Sequence, residues 1–183
     1  MANRMTALGA KTRTAALAAL ALALSTIPAA AEAVKLSTGL PVPRFVTLKA
    51  KKINLRVGPG QDYAVSWRYL KSGLPVEITQ EFENWRRIRD ADGAEGWVFH
   101  SLLSGERSAV AAPWMRDKGA DIFVNMRTDA RDTGRVVAKL QPGVIVRLDR
   151  CNGEWCYAEA KDVEGWVSQA EIWGAYPGEA FTK

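Results

Sequence analysis

From residue 53 onward, apolar and polar residues alternate in short runs. Ile53 and Leu55 alternate with Asn54 and Arg56, Val76 and Ile78 with Glu77 and Thr79, and Val146 and Leu148 with Arg147 and Asp149. A period of two turns one side of the backbone to a core and the other to water, which predicts half-buried β-strands. The runs stop at residues with turn chemistry: Gly58-Pro59-Gly60, Asp90-Ala91-Asp92-Gly93 and Asn152-Gly153. No amphipathic helical pattern stands out after residue 33. Many short strands with frequent turns predict a small all-β barrel or sandwich.

The first thirty residues follow a different pattern. Arg4, Lys11 and Arg13 precede an unbroken apolar run from Ala15 to Leu24, and small residues follow at Ala29, Ala31 and Ala33. A basic start, an apolar centre and an A-x-A site predict a secretory signal over 1–33, cleaved after residue 31 or 33. The apolar run is too short for a span, which needs about 20 residues. Cleavage leaves no stable membrane span, and it places the mature chain in the periplasm or outside the cell. It also removes three of the 25 Lys plus Arg, so the net charge falls from +5 to +2 or +3. That balance, with no clustered basic face, argues against nucleic acid as a partner.

One set of landmarks is written twice. The first copy has Asn54-Leu55-Arg56, Leu70-Lys71-Ser72-Gly73, Trp85 and Gly96-Trp97-Val98. The second has Asn125-Met126-Arg127, Leu140-Gln141-Pro142-Gly143, Trp155 and Gly165-Trp166-Val167. Corresponding spacings agree to within one residue, at 19, 12 and 11 against 18, 12 and 10. A period of about 70 residues is too long for a solenoid repeat and fits two small domains, each marginal but viable in size.

With their flanking residues, these landmarks strongly resemble the bacterial SH3-like (SH3b) domain family. The resemblance rests on Ile53 to Gly60, Leu70 to Gly73, Trp85 to Ile88 and Gly96 to Val98, and on their second-copy counterparts. It implies two tandem small SH3-like β-barrels of five to six strands and a binding role at the cell wall or on a partner protein. The second copy departs from the pattern where Asp129-Ala130-Arg131 replaces Gly58-Pro59-Gly60. The division is then signal 1–33, lead-in 34–48, first domain 49–103, linker 104–119, second domain 120–172 and tail 173–183. Trp114 and Met115 suggest a linker that packs on a barrel.

Cys151 and Cys156 bracket Asn-Gly-Glu-Trp. In an exported chain an even cysteine count predicts a disulfide, and two cysteines with no nearby His make a poor metal site. The bond requires a hairpin in which the two cysteines stand directly opposite, and closing so short a loop is worth roughly 2 kcal/mol. The repeat puts Glu81 and Arg86 at the same two positions of the first copy. They are expected to pair across the strands for about 0.2–1 kcal/mol.

The residue inventory gives no catalytic site and no cofactor or metal. His100 is the one histidine, and it lies in the other copy from both cysteines. A zinc amidase needs several ligands, and a Cys-His peptidase needs a free thiolate. Asp90 and Asp92 beside Gly93 are explained by turn formation. Gly58-Pro59-Gly60 lacks the Lys-Ser/Thr of a phosphate loop.

Aromatic residues remain as the candidates for binding. If Ile88, Val98, Ala158 and Val167 face the cores, alternation turns Trp85 and Trp97, and Trp155 and Trp166, towards the surface. Such side chains suit shallow binding sites. Tyr63 and Tyr69 are expected to join the first-copy groove, with Arg56, Arg68 and Arg87 beside it. The position of Tyr63 falls near Gly134-Arg135 in the second copy, which makes that groove poorer. The expected ligand is peptidoglycan, its stem peptides or an envelope protein, held without catalysis. The rival reading has the Trp residues dock the two barrels together, or gives the chain an accessory role beside a cell-wall enzyme.

Overall fold

The computed structural model describes residues 38–183, so the expected signal over 1–33 lies outside the described residues. Among the described residues every regular element is a β-strand or a short 3-10 turn. The first barrel is built from β1 (Arg44–Leu48), β2 (Ile53–Arg56), β3 (Val65–Tyr69), β4 (Pro75–Phe82), β5 (Trp85–Arg89), β6 (Glu95–Phe99) and β7 (Leu103–Ser104). The second is built from β8 (Arg107–Ala111), β9 (Val124–Arg127), β10 (Val136–Leu140), β11 (Ile145–Asn152), β12 (Trp155–Ala160), β13 (Val163–Ser168) and β14 (Ile172–Trp173). A last strand, β15 (Ala180–Thr182), lies along β11.

The sheet orders are β3-β2-β6-β5-β4-β1-β7 and β10-β9-β13-β12-β11-β8-β14, so the second repeats the first strand for strand. Alternation is visible in the burial of β2 and β9, where Ile53, Leu55, Val124 and Met126 point inward. Ile78, Ile88 and Val98 complete one core, and Leu148, Ala158 and Val167 stand in their places in the other.

The repeat extends further than its landmarks. The lead-in supplies β1, which pairs with β4 from Arg44↔Ile78 to Thr47↔Pro75. The linker supplies β8, which pairs with β11 from Ile145↔Val110 to Leu148↔Arg107. Residues expected as tail complete β14 and form β15, which pairs with β11 at Cys151↔Phe181. Met115 packs against the second core, while Trp114 remains exposed. One landmark shifts. Tyr69 pairs with Ile53 as Leu140 pairs with Val124, so Tyr69 and not Leu70 is the counterpart of Leu140. Leu70 is 70% exposed.

Strands β1 and β8 carry no alternation because both sides of each are covered. Their burial patterns are identical, with only the leading Arg partly open. One side faces the strand's own core and the other faces the neighbouring barrel. Thr47 Oγ1 donates to the Glu106 carbonyl at 2.7 Å and accepts from Ser108 Oγ at 2.8 Å. The C-terminal residues close the contact. Phe45 packs edge-on against Trp173 with ring centroids 4.9 Å apart, and lies 4.7 Å from the Tyr176 ring. The Tyr176 hydroxyl donates to Glu77 Oε1 at 2.8 Å, and Arg89 pairs with the other Glu77 oxygen at 2.6 Å. Arg107 holds Glu179 through two bonds of 2.7 and 2.9 Å, and its guanidinium lies over Phe181.

The glycine of each Gly-Trp-Val closes its barrel. A Cβ on Gly96 would stand 2.7 Å from the Arg56 carbonyl oxygen, and one on Gly165 would stand 2.6 Å from that of Arg127. β6 and β13 can therefore cross β2 and β9 closely only where no side chain intervenes.

Cys151 and Cys156 are directly opposite in register and joined by a disulfide. Glu81 and Arg86 occupy the same positions of the β4–β5 hairpin, with Arg86 Nε 3.1 Å from Glu81 Oε1. Their setting differs from a surface pair, because both are at most 4% exposed. Arg44 donates to the same carboxylate at 2.5 Å, and so does the Thr38 hydroxyl. Burial pushes the Glu81 carboxyl up, but the bonds from Arg44 and Thr38 and the nearby guanidinium charges outweigh it and hold it below its ordinary 4.5.

A carboxyl held below its unfolded value contributes stability that is complete above about pH 4.5 and is lost as pH falls through the folded value. Glu81→Gln is therefore expected to cost about 3 kcal/mol at neutral pH, because it leaves buried guanidinium charge uncompensated. Urea titrations should show the gap from wild type closing below that pH; a gap that persists in acid contradicts the account. Tyr176→Phe removes a hydrogen bond to a buried carboxylate and is expected to cost roughly 1.5–3 kcal/mol in the same assay.

Candidate functional site

The outward side of the first barrel is built by β2, β5 and β6. Inward Ile53, Leu55, Ile88 and Val98 force their neighbours Asn54, Arg56, Trp85, Arg87, Trp97 and Phe99 to point out. Register sets Trp85 opposite Phe99, and Trp97 opposite Arg87 on one side and Arg56 on the other. The Trp85 and Phe99 rings meet edge to face at 5.6 Å, and Phe82 approaches Trp97 at 6.5 Å. The result is a strip of four aromatic rings on one hairpin and its neighbour.

A groove of about 370 Å³ runs beside this strip. Trp85, Phe99 and Leu102 form its apolar wall, and Asn54, Arg56, Gln61 and Arg68 form its polar side. Arg68 Nε donates to Asn54 Oδ1 at 2.9 Å, which fixes one guanidinium at the edge. Arg56 Nη1 donates to the Tyr63 carbonyl at 2.7 Å, which ties the β2–β3 loop to the same place. An apolar wall facing two guanidinium groups can take a ligand that has both an apolar body and a carboxylate.

The Gly58-Pro59-Gly60 break shapes this loop. A Cβ on Gly58 would overlap three carbons of the Tyr63 ring, so the glycine is the seat on which the ring lies. Tyr63 is half exposed but does not line the groove. In the second barrel Arg127 Nη1 donates to the Gly134 carbonyl at 2.9 Å. Gly134 therefore stands where Tyr63 does, and the seat has no ring to carry.

Other expected site residues fall elsewhere. Tyr69 points inward, is 6% exposed, and donates its hydroxyl to Asp90 Oδ2 at 2.9 Å. Burial, and then the Asp90 charge, push its phenol well above the ordinary range. Tyr69 was expected in the groove; its register with Ile53 makes it the inward residue of β3 instead, and Leu70 falls in the loop after it. Arg87 is exposed and paired with Glu95 at 2.8 Å. Trp97 flanks the groove through Phe82 and Arg56 without lining it.

The second barrel presents a different surface. Trp155 is 8% exposed and faces Ser168, where the first barrel has the Trp85–Phe99 pair, so Trp155 is a packing residue and not a surface one. Trp166 meets Tyr157 edge to face at 5.4 Å, and the Arg150 guanidinium covers both rings at 5.2 and 4.2 Å. Cation–π contact on both rings leaves this pair already partnered.

Sequence reasoning passed over Trp67, Phe82 and Phe99. Trp67 is 58% exposed on edge strand β3, whose first four residues are all exposed. The signal for Phe82 and Phe99 was available, since both stand in register with Trp85. His100 lies exposed in a 3-10 turn against the Phe99 ring. Among the described residues no group of three His, Cys, Asp or Glu side chains is placed to hold a metal, and no cysteine is free. No helix among them is long and apolar enough to cross a membrane.

A search of the curated proteins found no match. Among solved structures, NlpC1 from Trichomonas vaginalis matches at 12% identity and a TM-score of 0.32, covering 76% of this chain and 48% of that one. NlpC2 from the same organism matches at 8% identity and a TM-score of 0.30, covering 73% and 49%. The chain thus spans about half the length of these structures. The family described as the bacterial SH3 domain matches twice, over residues 49–105 and 120–174. Both matches fall on the two seven-stranded repeats, and the chain belongs to the bacterial SH3 domain family.

Proposed function

We propose that this protein is a non-catalytic binding protein of the bacterial cell envelope that holds peptidoglycan through the outward surface of its first barrel. The observation that carries this reading is the groove in which Trp85 and Phe99 face Arg56 and Arg68. A stem peptide combines small apolar side chains with free carboxylates, and the groove offers a partner to each. Bacterial SH3 domains commonly bind cell-wall components, and a disulfide suits an extracytoplasmic compartment. The signal-like residues 1–33 support export to the periplasm or beyond. An exposed His100 and two oxidised cysteines support a role without catalysis.

One observation favours a second reading for part of the molecule. Trp173 packs on Phe45 across the two barrels, so one tryptophan does serve docking. The ring partners of Trp85 and Trp97 lie within their own barrel, so docking does not account for them. The test is retention on purified sacculi. Wild-type protein is expected to sediment with them, and Trp85→Ala with Arg56→Ala is expected to lower retention roughly tenfold or more, the scale of a binding hot spot. No retention by wild type, or undiminished retention in the double variant, would falsify this assignment. Trp114→Ala, exposed and away from the groove, serves as the control for loss of a surface tryptophan.

A further inference from the structure

The corresponding corner of each barrel lies between the loop after its third strand and the turn after its fifth. In the first barrel this corner holds Trp67, Leu70, Asp90 and Asp92 around a space of about 410 Å³. In the second it is a larger groove of about 920 Å³, and its charged residues are all basic, where Arg68 and Arg116 balance the two aspartates of the first. Lys139 from β10 and Lys161 from the β12–β13 turn line it, joined by Lys71 from the first barrel and Arg116 from the segment between the barrels. No carboxylate lines it. Arg116 borders both corners and pairs with Asp92 at 2.6 Å.

Three features make this more than a solvated basic patch. The cations come from four separate segments of the chain and converge on one space. Among the described residues Lys71, Lys139 and Lys161 take part in none of the ten ion pairs. The floor is apolar: Leu140 and Val144 line its base, with Phe123, Ile145 and an exposed Val163 around them. Lys139 Nζ lies 5.6 Å from the Phe123 ring centroid, a cation–π contact that holds its ammonium over a ring lining the space.

We propose that this inter-barrel groove is a second binding site, for a short acidic peptide segment that alternates carboxylate and apolar side chains. Carboxylates meet the unpaired lysines, and the apolar side chains cover the floor. The volume is that of sites that enclose small ligands. A phosphate polymer fits less well. Its usual partner is the planar guanidinium fork, and the one arginine here already holds Asp92. This site shares no residue with the Trp85 groove, so the two assignments stand or fall separately.

The experiment is a fluorescence-anisotropy titration of the mature protein with a labelled peptide alternating glutamate and leucine. A matched peptide with glutamine for glutamate and a short inorganic polyphosphate are titrated in parallel. The glutamate peptide is expected to bind and to weaken as salt rises. Lys139→Glu with Lys161→Glu should weaken it roughly tenfold or more, because like charges then face each other in the groove. Lys51→Glu with Arg131→Glu changes the net charge equally at exposed positions outside the groove and should leave binding unchanged. The proposal is overturned if neither peptide binds, if the glutamine peptide binds as well, if both charge-reversed variants behave alike, or if polyphosphate binds more tightly than the glutamate peptide.

Discussion

The contact of β1 with β8 is the constraint on which the rest of the molecule depends. Each strand closes its own sheet and covers the other barrel at the same time. A unit of this size buries too little surface to be robust alone. Sharing a covered face lets each barrel count its neighbour as core. The polar atoms that this geometry traps are matched to one another, Thr47 with Ser108 and the Glu106 carbonyl, so that little hydrogen-bonding capacity is lost. The C-terminal residues then lock the arrangement, through Tyr176 on Glu77 and Glu179 on Arg107.

The two repeats solve one geometric problem with different chemistry. At one hairpin position the second barrel has a disulfide and the first has a buried carboxylate among two guanidinium groups. A covalent bond works there without help. The ion pair needs Arg44 and Thr38 as well, because a desolvated charge with one partner is seldom compensated. Each hairpin is also approached by a terminal segment of the described chain, β15 on Cys151 and the residues around Thr38 on Glu81. The hairpins are anchor points for the two ends of the folded part.

The outward surface has diverged more than the apolar core. Ile53, Leu55, Ile88 and Val98 exchange for Val124, Met126, Ala158 and Val167 with burial kept. On the outside, Trp85 beside Phe99 becomes Trp155 beside Ser168, and a corner with two aspartates becomes one with lysines. These apolar core positions answer to packing density and exchange one apolar residue for another of different size. Surface positions answer to whatever each barrel meets.

The sequence by itself determined the strands whose two sides see different environments. Alternation at Ile53 to Arg56 or Val146 to Asp149 is the direct image of a half-buried strand, and the paired Gly-Trp-Val landmarks mark where each barrel closes. The opposition of Cys151 to Cys156 follows from the expected disulfide, and the repeat carries it to Glu81 and Arg86. Only the tertiary structure decided the rest. β1 and β8 share little beyond a leading arginine, and burial on both sides erases the alternation that would have revealed them. Tyr69 takes the core position of Leu140 because its loop is one residue longer, a difference that matters only once Ile53 is paired across from it. Trp155 is buried although its strand period turns it away from the core, and Lys71 reaches a groove of the other barrel. These depend on which surfaces come together, and a linear pattern carries no information about contacts made across the barrel boundary.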